Sequence, residues 1–275
     1  MLFVIDFGVG RHSFLTKNIM KYYKILIFFV LFNWTNAQKS VKVSYEQKIY
    51  YADSFFNQLP ENEREKMKIS LSKPTYFELI NNGDFSLFKS VNVKEEIVAS
   101  KEMNTETAIN KGTIIKPFKV WILKDFTKQS FVKSTYVKEQ EYYVEQPFLI
   151  EELKYDKRFK IIDGYKCMSA YSVKATNDTI QYWYTQEIPI VDGPFSPTTI
   201  PGLVLSVESK KKIQYATKIE FFDKKLIVDG INKQTPFITN EDLQNKIQES
   251  RKPKSYTDEF GKKHESHSVI IKNDN

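Results

Sequence analysis

Histidine is the residue type that most quickly tests this sequence for catalysis, and it is nearly absent. The chain has three histidines, His12, His264 and His267, all of them near its two ends. Residues 38–250 therefore have none, which excludes a Ser-His-Asp or Cys-His nucleophile and a histidine-ligated metal centre from this stretch. The sequence HESH near the C-terminus could form a two-histidine metal clip, although a solvated tail is the simpler interpretation.

Carboxylates are the remaining candidates for catalysis. A glycosidase needs two carboxyl groups that flank a sugar, and six acidic residues lie near aromatic ones: Asp125, Glu145, Glu151, Glu152, Glu187 and Asp192. Surface carboxylates on strands explain the same pattern, and no spacing brings a particular pair together. The sequence also lacks a glycine-rich phosphate loop, a CxxC pair and a dinucleotide fingerprint. We therefore predict no catalytic residue, no cofactor and no metal.

The single cysteine, Cys167, has no partner for an internal disulfide, so stability must come from an ordinary core. Cys167 lies in the alternating segment GYKCMSAYSV, on the same face of a predicted strand as Tyr165 and Ser169. This setting predicts a buried, inert thiol rather than a reactive one.

The N-terminal sequence predicts export. From Met20 the chain reads MKYYKILIFFVLFNWTNAQ, in which Lys21 and Lys24 precede a short apolar run and small residues suit cleavage after Ala37. The run is shorter than the roughly 20 residues of a membrane-spanning helix, so no transmembrane segment is expected after cleavage. We interpret residues 1–37 as an over-extended start followed by a signal peptide, with Met20 as the natural start. The mature protein is expected to be periplasmic or secreted.

Alternating apolar and polar residues dominate residues 38–250 and predict an antiparallel meander. Strong turn signals separate the strands, among them Asn82-Gly83 and Asp163-Gly164. Residue patterns typical of helix starts, such as proline, N-cap and early acidic residues, occur in two short segments, 60–68 and 239–252. The predicted fold class is mainly β, a curved antiparallel sheet or incomplete barrel with one or two short helices.

The domain organisation predicted from these patterns is simple. Residues 38–250 form a single β-rich domain, within which 91–112 is expected to be an exposed connection. Residues 251–275 are charged and are predicted to be a mostly disordered tail. Basic residues outnumber acidic ones by 41 to 34, but the excess is spread along the chain and predicts no nucleic-acid partner.

The most aromatic segment, QYWYTQEIPI, is compatible with two interpretations. Alternation places Trp183 on one face of a strand and both Tyr182 and Tyr184 on the other. The sheet could carry a core on one face and a loop or helix packed on the other. Alternatively, one face of a curved sheet could bind an apolar ligand such as a lipid.

The segment that follows, DGPFSPTTIPGLVLSV, predicts a rigid and shaped loop before the next strand. Its prolines restrict the backbone, and Gly202 permits close approach of neighbouring atoms. Such a loop could either hold the sheet in place or present a recognition surface. The candidate binding residues from this segment and the aromatic strand are Trp183, Tyr184, Ile200, Pro201, Gly202 and Leu203.

The succession YWYTQEIPIVDGPF and TIPGLVLSVES resembles the GLPGLI family of exported proteins of the Gram-negative envelope. Residues 199–204 occupy the position of the loop for which that family is named, with Thr199, Ile200 and Val204 as departures from its pattern. The segments NAQ, YFELINNGDFSLF, KDF and IIDGYKCMSA are similar to family landmarks in the same order. The family has no established activity or catalytic residues to transfer.

The resemblance and the residue analysis together predict a non-catalytic binding or accessory protein of the cell envelope. Its partner is expected to be a lipid, a peptide or an outer-membrane protein. A structural or partner protein of an outer-membrane transport system is the alternative. An exported hydrolase that uses two carboxylates comes last.

Overall fold

A computed structural model of the chain describes residues 40–57, 61–91, 119–148, 150–174, 178–195, 199–228, 230–251, 254–257 and 263–266. The predicted signal segment lies outside the described residues, and so does the predicted connection at 91–112 apart from Val91.

Eleven strands join in one antiparallel sheet. They are β1 (Ser40–Ile49), β2 (Thr75–Asn81), β3 (Phe85–Val91), β4 (Trp121–Asp125), β5 (Ser130–Val137), β6 (Gln140–Pro147), β7 (Lys154–Ile162), β8 (Tyr165–Val173), β9 (Thr179–Thr185), β10 (Leu203–Glu208) and β11 (Lys212–Phe222). This architecture confirms the predicted fold class of a mainly β, open and curved sheet.

The strand order is β6-β5-β4-β3-β2-β1-β11-β10-β9-β8-β7. Strands that follow one another in the chain are therefore neighbours, except that β6 and β7 lie at the two opposite ends of the sheet. The chain returns on itself where β11 pairs with β1, and Tyr45 lies opposite Ala216 beside an irregularity in that pairing. The sheet thus has two edges, β6 and β7, and they are joined by a short connection.

The turns between strands follow the local sequence. In the hairpin between β2 and β3, the Asn81 side chain accepts a hydrogen bond from the Gly83 N–H at 2.8 Å, and Gly83 has a φ of 89°. Such a conformation favours glycine, so the predicted Asn-Gly turn is confirmed. Asp163 and Gly164 form the predicted turn between β7 and β8, both with positive φ.

Three helices are described: α1 (Asp53–Asn57), α2 (Glu61–Ser72) and α3 (Asn240–Arg251). The predicted helix at 60–68 corresponds to α2, which continues four residues further, and the helix predicted at 239–252 corresponds to α3. At the start of α3, Thr239 Oγ1 accepts a hydrogen bond from the Asp242 N–H at 3.0 Å, which caps the helix. In the described part of the chain, no helix combines the length and apolarity needed to cross a membrane.

A separate two-stranded sheet is formed by β12 (Lys254–Thr257) and β13 (Lys263–Ser266). These strands lie in the segment for which the sequence predicted a mostly disordered tail. Most other residues of that segment lie outside the described residues, so the mostly disordered tail stays a prediction.

Apolar side chains form two buried clusters on opposite faces of the β8–β9 part of the sheet. The main cluster draws on β1 to β4 and β8 to β11, and Tyr45, Phe88, Trp183 and Leu205 belong to it. The second cluster consists of Ala170, Tyr182, Tyr184, Ile200, Val204 and Val207, with Leu153, Met168 and Ile180 packed against it. Because both faces are covered, the interpretation of a core on one face and a packed loop on the other fits the aromatic strand.

Candidate binding surface

The loop from 186 to 202, which joins β9 to β10, packs against the sheet through several of its described residues. The strand before it ends at Thr185. Ile188 is buried in the main cluster and Phe195 packs against the same cluster, with its ring centroid 5.1 Å from that of Phe88. The loop then reaches the opposite face, where Ile200 enters the second cluster.

A buried ion pair holds the middle of this loop. Asp192 accepts hydrogen bonds from Lys124 Nζ at 2.7 Å and from Asn81 Nδ2 at 2.8 Å. Lys124 also donates to the carbonyl of Gly193 at 3.0 Å. The Asp192 side chain is 0% exposed and that of Lys124 is 7% exposed. Charges buried this deeply require partners, so the pair links the loop to β2 and β4.

The second anchor lies where the loop enters β10. Tyr45 donates a hydrogen bond from its hydroxyl to the Val204 carbonyl at 2.8 Å, and the phenol is fully buried. Burial, together with the nearby Asp192 carboxylate, raises the pKa of Tyr45 well above its ordinary value. The hydroxyl therefore stays protonated and remains a donor.

Gly202 lets the loop close against the preceding strand. A Cβ atom at this position would lie 2.2 Å from the carbonyl oxygen of Thr185, and the φ of Gly202 is 148°. Real Cβ contacts are longer, so the predicted close approach at Gly202 is confirmed.

The six candidate binding residues do not form one surface. Trp183 and Leu203 are in the main cluster, whereas Tyr184 and Ile200 are in the second cluster on the opposite face. Gly202 is buried as well, which leaves Pro201 as the exposed member of the set. The chain's own residues cover the others, so these residues stabilise the fold.

Trp183 contacts two cationic side chains of β7. Lys160 Nζ lies 4.4 Å from the ring centroid and the Arg158 guanidinium lies 5.7 Å from it. Both cations are compensated, because Lys160 pairs with Glu208 and Arg158 pairs with Asp156 at 2.6 Å. The indole is therefore part of a polar cluster at the end of the main core, and cation–π contact supplies part of its stabilisation.

Of the six candidate catalytic carboxylates, Asp192 forms the buried pair described above, Glu152 is exposed, and the other four each contact a neighbouring turn or strand. Asp125 accepts from the N–H groups of Thr127 and Lys128, Glu145 accepts from Ser130, and Glu151 pairs with Lys174 at 2.5 Å. Glu187 accepts from the Lys166 N–H at 3.1 Å. Each contact is one that a turn or a strand surface ordinarily makes. Among the described residues, no group of three or more His, Cys, Asp or Glu side chains is arranged to hold a metal ion.

Cys167 is fully buried in the main cluster, as its alternation predicted. Burial raises the pKa of the Cys167 thiol to about 11. At neutral pH the thiolate that would react with an electrophile is therefore scarce.

The two edge strands of the sheet, β6 and β7, differ in whether another segment of the chain pairs with them. At β6, the Tyr143 N–H donates to the Pro236 carbonyl and the Ile238 N–H donates to the Tyr143 carbonyl, both at 2.9 Å. Phe237 lies over this contact, with its ring centroid 5.4 Å from that of Tyr143. Residues 236–238 thus pair with the outer edge of β6.

No described segment pairs with the outer edge of β7, which is the last strand of the sheet. Three large apolar side chains on this strand are exposed to solvent: Tyr155 by 52%, Phe159 by 63% and Ile161 by 62%. We call these three residues the β7 stripe. An uncovered strand edge with exposed apolar side chains is a site at which another strand can pair.

The β7 stripe lies on one face of the sheet and continues the second cluster. Tyr155 is opposite Ala170 and Phe159 is opposite Met168, and both partners belong to that cluster or pack against it. Ile161 follows Phe159 by two residues and so points to the same side. The Tyr155 ring also contacts that of Tyr184 at 6.3 Å between centroids.

The pairing of β7 with β8 is interrupted between Tyr155 and Phe159. Beyond this bulge, residues 159–162 pair regularly with β8, so a short straight stretch is presented at the edge. No feature of its sequence marked this strand as a binding site. Its segment KYDKRFKII lacks clean alternation because the bulge shifts the side chains, and its position at the edge depends on strand order.

Comparison with protein-family models finds none that matches this sequence, and comparison with curated proteins finds no match either. Solved structures show similarity in fold. PNGF-II in a P21 crystal form aligns with a TM-score of 0.51 and 15% identity, over 79% of this chain and 34% of that chain. The C2 form of PNGF-II gives a TM-score of 0.49, and an uncharacterized conserved protein from Thermus thermophilus gives 0.36.

This chain spans about a third of the length of the PNGF-II chain that it matches. At 15% identity the similarity concerns the fold alone. The same type of open sheet therefore also occurs as one part of a longer polypeptide.

Proposed function

We propose that this protein is a non-catalytic, exported protein of the Gram-negative envelope, of the GLPGLI type, that binds an extended polypeptide segment at the edge of β7. The observation that carries the proposal is the contrast between the two edges. Residues 236–238 cover the outer edge of β6 at Tyr143, whereas the β7 stripe and the outer edge of β7 face solvent in the described part of the chain.

Addition of a strand to a free edge satisfies the physical requirements of this surface. The unpaired N–H and C=O groups of β7 would form hydrogen bonds to the backbone of the added strand, which gives affinity. Alternate side chains of that strand would contact Phe159 and Ile161, which gives specificity. A partner-protein role in an envelope assembly agrees with this mode of binding.

A lipid ligand has less support than a polypeptide. The aromatic residues that suggested a lipid site, Trp183 and Tyr184, are covered by the chain's own loop and strands. The β7 stripe is a narrow row at an edge, whereas a lipid site is normally a concave cavity that encloses most of the ligand.

A displayed library of random peptides tests the proposal. Peptides selected on the purified mature protein should bind it and should not bind the double variant Phe159→Ser, Ile161→Ser. Hydrogen exchange of the complex should show new protection in residues 154–162. Selected peptides that protect another region, or that bind the double variant equally well, would contradict the proposal.

A further inference from the structure

The charges around the β7 stripe narrow the class of partner. Lys154 and Lys157 on β7 and Lys166 on β8 are exposed. None of the three forms an ion pair with a described residue, whereas Arg158 and Lys160 on the same edge are paired with carboxylates. Lys166 lies over the exposed ring of Phe159, with Nζ 4.9 Å from the centroid.

The acidic groups at this edge do not cancel these lysines. Asp156 is held by Arg158, and its side chain bonds to the guanidinium at 2.6 Å. Glu187 accepts a hydrogen bond from the Lys166 backbone N–H at 3.1 Å, and no ion pair is formed between its carboxylate and the Lys166 ammonium. Glu152 and Asp163 are exposed and form no ion pair with a described residue, but they lie outside the strand, one on each side of it. Within β7 itself four basic residues stand against Asp156 alone, so the strand carries a net positive charge around an apolar row.

We infer that the segment bound at β7 is an acidic strand, with apolar side chains that alternate with Asp or Glu. This inference rests on the proposed function and specifies its partner. In an added strand, one set of alternate side chains would contact Phe159 and Ile161 on the face of the second cluster. The carboxylates would then point to the opposite face, toward Lys154 and Lys160. Lys157 in the bulge and Lys166 beside Phe159 add positive charge along the same edge.

A second copy of the chain is the wrong partner for this edge. Pairing β7 with another β7 would bring the lysines of both copies together, and like charges that face each other across strands are destabilising. The bulge between Tyr155 and Phe159 also limits regular pairing to a short stretch, which is a common protection against self-association. Edge lysines thus exclude a copy of this chain and favour an acidic strand.

An anionic membrane surface would also attract lysines beside aromatic residues. The polypeptide is the better match because a lipid surface cannot satisfy the row of backbone hydrogen-bonding groups on the outer edge of β7.

Three synthetic peptides test the inference on the full mature protein. All alternate with valine, and the intervening residues are glutamate in one, glutamine in the second and lysine in the third. Fluorescence anisotropy should show the glutamate peptide binding roughly tenfold more tightly than the glutamine peptide at low salt, with the lysine peptide weakest. The preference should shrink at high salt.

Charge-reversal variants provide the matched control. Lys157→Glu combined with Lys166→Glu leaves the β7 stripe in place and should invert the order, so that the lysine peptide binds best. The variant Lys218→Glu, which changes an exposed lysine on β11, should leave the order unchanged.

The outcomes separate the two proposals. Equal binding of all three peptides, with protection of residues 154–162 in hydrogen exchange, would overturn the acidic class and leave strand addition standing. Binding of none would overturn both. Binding to phosphatidylglycerol vesicles without binding of any peptide would assign the surface to a membrane and overturn both. Protection, in the free monomeric or dimeric protein, of the β7 N–H groups that point away from β8 would show that the chain itself occupies the edge, again against both.

Discussion

The β9–β10 loop, residues 186–202, and strand β7 present opposite arrangements of charged and apolar side chains. In the loop, Asp192 is completely buried and Ile200 is packed in the second cluster. In β7, Phe159 and Ile161 are exposed. The loop buries Asp192 and Ile200 within the fold, whereas the strand leaves charged and large apolar side chains at the surface.

This difference shows that the rigid segment of the molecule and its exposed apolar surface are two separate regions. Prolines and a constrained glycine give the loop a defined shape, and its contacts show that the shape serves to hold the sheet. A strand with an ordinary composition carries the accessible apolar surface. Substitutions in the loop should therefore reduce stability, and substitutions on the β7 stripe should reduce binding without reducing stability.

The largest expected loss of stability comes from Asp192→Ala. This change would leave the Lys124 ammonium buried without its carboxylate, and breaking a buried pair in this way costs about 3–5 kcal/mol. Urea unfolding of the mature protein would measure the loss. Glu220→Ala, which removes an exposed pair with Lys218, is the control and should barely move the unfolding midpoint. A similar small effect of both variants would show that the ion pair does not hold the loop.

Gly202→Ala is expected to come next. Its Cβ would meet the Thr185 carbonyl in a backbone conformation that already disfavours side chains, so we expect a loss of about 2–3 kcal/mol. Gly83→Ala is the matched control, because Gly83 also has a positive φ but has open space around its Cβ position. That variant should lose about 1 kcal/mol. Equal losses, again measured by urea unfolding, would contradict a role for the close approach at Gly202.

The parts of this fold that could be predicted are those that depend on neighbours in sequence. Alternation indicates strands, and the Asn82-Gly83 turn is set by residues that touch one another. Likewise, Gly202 precedes a strand that must pass close to the previous one. The helix at 61–72 begins with acidic residues in its first turn, a signal that is local as well.

The parts that could not be predicted depend on strand order. Lys124 and Asp192 are 68 residues apart, and nothing in either segment indicates their pairing. Similarly, nothing in the β7 segment shows that it lies at an edge, because this depends on the order of the strands in the sheet. The aromatic residues around Trp183 suggested a binding site because sequence alone does not show what covers a side chain.

Tyr45→Phe should have a smaller effect than the two loop variants. The ring and its edge contact with Phe88 would remain, but the Val204 carbonyl would lose its buried donor. A lost hydrogen bond of this kind costs about 1 kcal/mol. Tyr215→Phe, which removes a partly buried hydroxyl contact with Glu46, is the control and should cost less. Stability that is unchanged in both would show that Tyr45 does not anchor the start of β10.

The smallest effect on stability is expected at the β7 stripe, and one substitution made at two positions tests it directly. Ile200→Ser removes a side chain that is 1% exposed and should cost about 3 kcal/mol, because it leaves a cavity and buries a hydroxyl. Ile161→Ser changes a side chain that is 62% exposed and should alter the free energy of unfolding by less than about 0.5 kcal/mol.

The same two substitutions should affect peptide binding in the opposite order from stability. Ile161→Ser should weaken binding of the glutamate–valine peptide, because one of its apolar contacts on β7 is lost, whereas Ile200→Ser at a temperature where it stays folded should bind as the unchanged protein does. Urea unfolding and peptide titration of the same two preparations measure both quantities. If Ile161→Ser unfolds as readily as Ile200→Ser, then β7 belongs to the core and the contrast between loop and edge fails.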